Sequence, residues 1–146
     1  MSELETIFLT SGLTIFGSVL VFVISQAIFH FIILPKQKYK QVISDIDTQL
    51  RFYANVITNP HLSDPSNEIE RSHYLECHKT LRRLSCELES SYRNLFCHEE
   101  EEKKKVIEAV KSLTRLSNSL IRGEAMQNNT ELEKIRQLLN IPSLSA

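Results

Sequence analysis

Between Glu5 and Lys36 the chain carries no charged side chain. Residues 7–34 read IFLTSGLTIFGSVLVFVISQAIFHFIIL. Crossing the hydrocarbon core of a bilayer takes about 20 apolar residues. As a helix, this run is about 42 Å long at 1.5 Å per residue, so it tilts or its last turn reaches the headgroups. In lipid the backbone has no water to bond, which forces a helix. A cleaved signal peptide has a basic start and a shorter apolar stretch. Here the start carries Glu3 and Glu5, and Pro35-Lys36 follows with no small-residue cleavage pattern. A buried core helix also fits poorly, because only about 110 residues remain, near the lower end of domain sizes. The sequence therefore predicts a short external segment at 1–6 and a transmembrane helix at 7–34.

Charge gives that helix a direction. Lys36, Lys38 and Lys40 follow the run directly, with Arg51 beyond them, and no Lys or Arg precedes it. An excess of basic residues marks the cytoplasmic side, so the expected topology is N-terminus outside and C-terminal part in the cytoplasm. The three lysines are topology signals, and as headgroup contacts each is worth about 1 kcal/mol near an anionic surface. Three cysteines, Cys77, Cys86 and Cys97, with no CxxC spacing, suit reduced thiols in a cytoplasm better than a disulfide framework.

Within the apolar run, Ser11, Ser18 and Ser25 recur every seven residues, and Thr14, Val21 and Ile28 fall three after each. Gly17 lies beside this seam, and Gln26 offers an interhelical hydrogen bond. Small residues let membrane helices approach closely, and hydroxyls bond across them. A seven-residue period gives a left-handed crossing. The expectation is a homo-oligomer packed through Ser11, Thr14, Gly17, Ser18, Val21, Ser25 and Gln26. The competing expectation is that the hydroxyls bond back to their own helix.

Past Pro35 the apolar positions fall at helical spacing. A juxtamembrane helix is expected at 35–58, continuous with the membrane helix and bent at Pro35, and ended by Asn59-Pro60. Asp64-Pro65 reads as the start of the next helix, about 65–97. Its stripe, Tyr74, Cys77, Leu81, Leu84, Leu88, Tyr92 and Leu95, is coiled-coil-like. It can pack on neighbours in the same chain or on a second copy. A third helix, about 99–122, opens with Glu99, Glu100 and Glu101, each four residues before a lysine, and Gly123 stops it. Thr130 and Glu133 form a capping box for a last helix at about 130–140. Glycine and proline are scarce, and the fold class predicted is all-α: one N-terminal transmembrane helix followed by a small antiparallel cytoplasmic helical bundle spanning 59–146.

The same residues exclude much chemistry. Gly12, Gly17 and Gly123 are the three glycines, too few for a phosphate-cradling loop. His73 and Cys77 sit at i, i+4, but no second pair completes a zinc site. Cys97-His98 could fold back toward them. No orienting partner accompanies a cysteine nucleophile. Arg82-Arg83 and Lys103 to Lys105 are balanced by acids, so no nucleic-acid footprint exists. No catalytic residue, metal or cofactor is expected.

Phe52-Tyr53-Ala54-Asn55-Val56, Leu116-Ser117-Asn118-Ser119-Leu120 and Leu81-Arg82-Arg83-Leu84 carry a resemblance. In these short motifs the chain is similar to a group of uncharacterised bacterial single-pass inner-membrane proteins with a short cytoplasmic helical domain. The resemblance covers most of the chain and implies that architecture and a bacterial inner membrane, without an activity. The function expected is a non-enzymatic, self-associating scaffold or an anchor for a cytoplasmic protein partner. The alternative is a membrane-perturbing effector, such as a toxin or phage-defence component.

Overall fold

Helix α1, Glu3–Ile28, passes without interruption through a π-helical turn, Phe29–Ile33, into α2, Leu34–Phe52. Proline explains the wider turn. Pro35 has no N–H, and its ring would strike the Phe31 carbonyl in a regular α-helix. Widening the turn before it relieves that crowding. The Leu34 N–H reaches back five residues to the Phe29 carbonyl. The expected continuity from the apolar run into the polar part is thus present, and Pro35 is absorbed by a change of helical pitch. The computed structural model of the protein describes residues 3–59, 68–120 and 125–142.

At Tyr53 the backbone leaves helical geometry (φ −93, ψ 14), and a short α3, Ala54–Thr58, follows. The single helix expected over 35–58 is therefore two pieces. Beyond it lie α4 (Glu68–Arg93), α5 (Glu100–Ser119) and α6 (Ala125–Leu138). Strands are absent among the described residues. The Asp64-Pro65 helix start and the Gly123 stop fall outside the described residues.

α4 packs against α2 and α5, and α6 lies on α5 and α3. The ring of Tyr92, late in α4, meets Tyr39, early in α2, with centroids 5.6 Å apart. At the other end of α4, the Tyr74 hydroxyl donates to the Asn59 carbonyl. α4 thus runs back along α2, and its last residues return to the level of Pro35. α5 reverses once more: His78 meets Ser117, and the Tyr92 hydroxyl reaches the Glu99 carbonyl.

The core is built from the stripes these helices carry. Ile46 and Leu50 of α2, Leu81 and Leu88 of α4, and Leu113 and Leu116 of α5 are fully buried. Small residues are buried beside them. Ser85, Ser91, Ala109, Ser112 and Ser117 are all buried. The Ser85 and Ser91 hydroxyls donate to the Arg82 and Leu88 carbonyls at 2.8 and 3.0 Å, so neither is left unbonded in the core. At the far end, the fully buried Asn128 of α6 donates through Nδ2 to the Ile57 carbonyl at 2.9 Å and accepts from the Ser119 hydroxyl. One amide therefore ties α3, α5 and α6 together.

Three helix ends differ from their expected positions. α4 stops at Arg93, short of residue 97, because His98 folds back. Its Nε2 lies 3.0 Å from the Tyr92 carbonyl, which the Leu95 N–H also reaches at 3.1 Å. α5 begins after Glu99 in extended geometry. Its charges pair as Glu101 with Lys105 at 2.7 Å and Glu100 with Lys103 at 3.5 Å. α6 starts at Ala125, so Thr130 and Glu133 are not a capping box. The Thr130 hydroxyl bonds back to the Met126 carbonyl, and Glu133 pairs with Arg136 at 2.9 Å. α6 ends on Asn140 at φ 51, with the Ile141 N–H bonded to the Arg136 carbonyl at 2.9 Å and Ile141 buried. That is a left-handed cap with its apolar contact, asparagine serving where glycine is usual.

Charge also fastens α6 to α5. Lys134 lies 2.7 Å from Glu108, and Arg115 lies between Glu108 and Glu131 at 3.6 and 3.7 Å. The hydrogen bond from Lys134 holds the Glu108 carboxyl below its ordinary 4.5, aided by the charges of Lys134, Lys111 and Arg115 and opposed by desolvation. A depressed carboxyl pKa stabilises the fold above the unfolded value, and that contribution disappears as pH falls through the folded one.

Two outcomes follow for the full chain in detergent micelles, read by denaturant titration. Leu88→Ala lowers stability by about 2–5 kcal/mol and Asn128→Ala by about 1–3 kcal/mol, while Met126→Ala, on the surface, changes it by less than about 0.5 kcal/mol. Glu108→Gln flattens part of the stability loss seen on acidification below pH 4.5, and an acid limb identical to that of the parent chain would remove the assigned role.

Candidate functional site

Every residue from 3 to 34 is exposed. The helix formed by α1, the π-turn and α2 is the one helix among the described residues long and apolar enough to cross a membrane. No part of the chain's own core covers α1. The seam residues Ser11, Thr14, Gly17, Ser18, Val21, Ser25 and Gln26 all lie on this uncovered helix. Three of the seam's hydroxyls turn inward to the backbone. Thr14 donates to the Thr10 carbonyl, Ser18 to Thr14 and Ser25 to Val21, each at 2.8 Å. These three therefore need no partner helix for their hydrogen bonds, as the competing sequence expectation had it. A Cβ built at Gly17 meets nothing within 4 Å, so the seam is open space in the single chain.

The three lysines do not form one cluster. Lys36 and Lys40, one turn apart, line a groove of about 710 Å³ at the Pro35 level of the helical core. Ile32, Phe96, Glu99, Glu101, Glu102 and Lys105 also line it. Lys38 faces a different groove, between α2 and α4, beside Asp45, Arg83 and Glu87.

The stripe of α4 is internal. Cys77, Leu81, Leu84 and Leu88 are buried, and Tyr74 and Leu95 are half-buried. It packs against α2 and α5 of the same chain. Of the two partners the sequence allowed for it, the chain itself takes the place, and no free coiled-coil face remains there for a second copy.

Cys77 belongs to this core. Burial, with the Glu76 charge adding to it, pushes its thiol up to about 12, which leaves almost no thiolate at neutral pH. Among the described residues no three His, Cys, Asp or Glu side chains converge as metal ligands would. His98 folds back onto Tyr92, ring centroids 5.0 Å apart, and away from any partnership with Cys77.

Sequence reasoning missed a serine–histidine pair. His78 Nδ1 lies 2.9 Å from both the Ser117 carbonyl and the Ser117 hydroxyl, and that hydroxyl also lies 3.1 Å from the His78 carbonyl, to which it can donate. Ser117 is fully buried. The pair clamps α4 to α5. Its signal in the sequence is a small residue directly after Leu116, marking a close helix approach.

The three motifs of the resemblance also do structural work. Phe52 to Val56 spans the α2–α3 break, and Arg82 of the Leu81–Leu84 stretch donates to Asn118 of the Leu116–Leu120 stretch at 3.2 Å. Ser119, in the same stretch, bonds to Asn128. No family model, curated protein or solved structure matches the chain.

Thiol chemistry separates these environments. A maleimide applied to the folded chain at neutral pH labels Cys86 and Cys97, both exposed, and reaches Cys77 only after denaturation. Mass spectrometry of the labelled peptides counts the sites, and prompt labelling of Cys77 in the native chain contradicts its burial.

Proposed function

We propose that this chain is a non-enzymatic single-pass membrane protein that self-associates and serves as a scaffold or anchor for a cytoplasmic partner. One observation carries the membrane part: no residue from 3 to 34 is covered by the rest of the chain. Taking one large apolar side chain out of water is worth about 1.5–3 kcal/mol. Over the side chains of this run the sum reaches tens of kcal/mol, beyond the roughly 5–15 kcal/mol that stabilises a whole domain. Such a surface requires a cover, and lipid supplies it along the full length. The basic residues at Lys36, Lys38 and Lys40 support a cytoplasmic C-terminal part, folded as an antiparallel bundle. The resemblance of the three short motifs supports a bacterial inner membrane.

Self-association now rests on the membrane seam alone, since the α4 stripe is occupied. The open space at Gly17 supports it: a neighbouring helix could approach there without displacing anything. The alternative, an effector that perturbs the bilayer, needs polar groups facing a lining. The back-bonded hydroxyls of Thr14, Ser18 and Ser25 favour the scaffold instead. The scaffold leaves growth and membrane potential normal on induced expression, and depolarisation of a potential-sensitive dye transfers the case to the effector.

The full-length product pellets with membranes and stays there through high-salt and alkaline washes. Recovery in the ultracentrifuge supernatant without detergent overturns the membrane reading. Replacing Ser11, Ser18 and Ser25 together by leucine, or Gly17→Leu alone, keeps the span and lowers the signal of a transmembrane self-association reporter severalfold. An unchanged signal in both variants removes the oligomer.

A further inference from the structure

We infer that the turn between α4 and α5 is a second membrane contact, in which Phe96 enters the lipid of the leaflet that α1 leaves. This rests on the membrane reading of α1 and adds to it a lipid-facing surface on the helical core. The placement follows from packing. Tyr92 lies against Tyr39, one turn past Pro35, and the chain then continues beyond Arg93 toward the apolar end. Leu95 packs on the core, which fixes the turn. Phe96, the next residue, cannot share that face and is 79% exposed. It lines the same groove as Ile32, a residue of the uncharged run. Phe96 therefore sits at the depth of the last apolar turn, where the interface with the headgroups begins.

The occupant is a phospholipid and not a peptide, because the groove is continuous with the lipid-facing helix through Ile32. Its lining carries both signs: Lys36 and Lys40 of α2, and Glu99, Glu101, Glu102 and Lys105 at and just before the start of α5, where Lys105 is paired with Glu101 at 2.7 Å. A zwitterionic headgroup meets both, phosphate toward the lysines and ammonium toward the glutamates. A purely anionic surface meets only half of it.

The chain contains no tryptophan, so a single introduced indole reports its own surroundings. Three variants in phosphatidylcholine nanodiscs test the inference: Phe96→Trp in the turn, Phe52→Trp as the water reference and Phe22→Trp as the lipid reference. Phe52 is 73% exposed and lies about 24 Å along α2 from Lys36, clear of the bilayer. Phe22 is near the middle of the uncharged run from residue 6 to 35. Nitroxide lipid labelled near the headgroup should quench the emission of the turn variant severalfold more than that of the water reference, and aqueous iodide should do the reverse. Adding phosphatidylglycerol should leave the lipid quenching of the turn variant unchanged. If chain-end nitroxide quenches the lipid reference while the turn variant is as open to iodide as the water reference, the turn stays in water and the inference fails. Protection of the turn indole from iodide without lipid quenching means that protein covers it, which also overturns the inference. Lipid quenching in the turn that begins only after phosphatidylglycerol is added overturns the zwitterionic docking. If the Phe22→Trp chain itself escapes lipid quenching, the membrane reading fails first.

Discussion

The absence of any charge from residue 6 to 35 governs the rest of the molecule. In the proposed bilayer a run of that length must satisfy its own backbone, and only a helix does so within one segment. The helix then has to end or continue at Pro35, where the chain turns polar. It continues, because a π-helical turn makes room for the proline ring without breaking the path. The first helix of the packed core is thus the extension of the apolar helix. The core is attached to it by one continuous element, with no linker between them.

Everything that packs on α2 inherits its position from that continuity. α4 returns along α2 and brings Tyr92 down to Tyr39. Burial, with Glu102 and Tyr92 adding to it, pushes the Tyr39 phenol up to about 12, so it stays neutral at this junction. At the far end, the buried amide of Asn128 links α3, α5 and α6. Its loss would leave the Ile57 carbonyl without its donor in a dry site, which costs more than the bond itself contributes. The two ends thus use different devices: aromatic contact near Pro35 and a satisfied polar joint opposite.

The architecture was legible where it follows from local periodicity. Residues 7–34 declared themselves by length and lack of charge, and Leu81, Leu84 and Leu88 by their spacing. What covers the α4 stripe was not legible, because spacing defines a face without defining its partner. The end of α4 at Arg93 depends on the His98 side chain folding back on the Tyr92 carbonyl, a contact no propensity encodes. Thr130 and Glu133 satisfied a capping pattern that the helix overran, since Ala125 to Asn129 could add a turn that buries Asn128. In the candidate site, the seam was visible but the direction of its hydroxyls was not. A serine in a helix has the same spacing whether it bonds inward or across. Phe96 carried a faint signal: it follows Leu95 by one residue and so falls about 100° off the stripe.

A continuous helix also couples rotation. A π-turn holds one residue more per hydrogen-bonded ring than an α-turn, so it resets the helical phase by about one residue, or roughly 100°. The face that Ser11, Ser18 and Ser25 present in α1 is therefore set relative to the face that Val42, Ile46 and Leu50 bury in α2. In the proposed oligomer, the choice of seam then fixes which side of each helical core faces its neighbour. With the α4 stripe already buried, the surfaces turned toward one another would be polar ones. Such an assembly brings cores together side by side without fusing them, and leaves their outer faces free for a soluble partner.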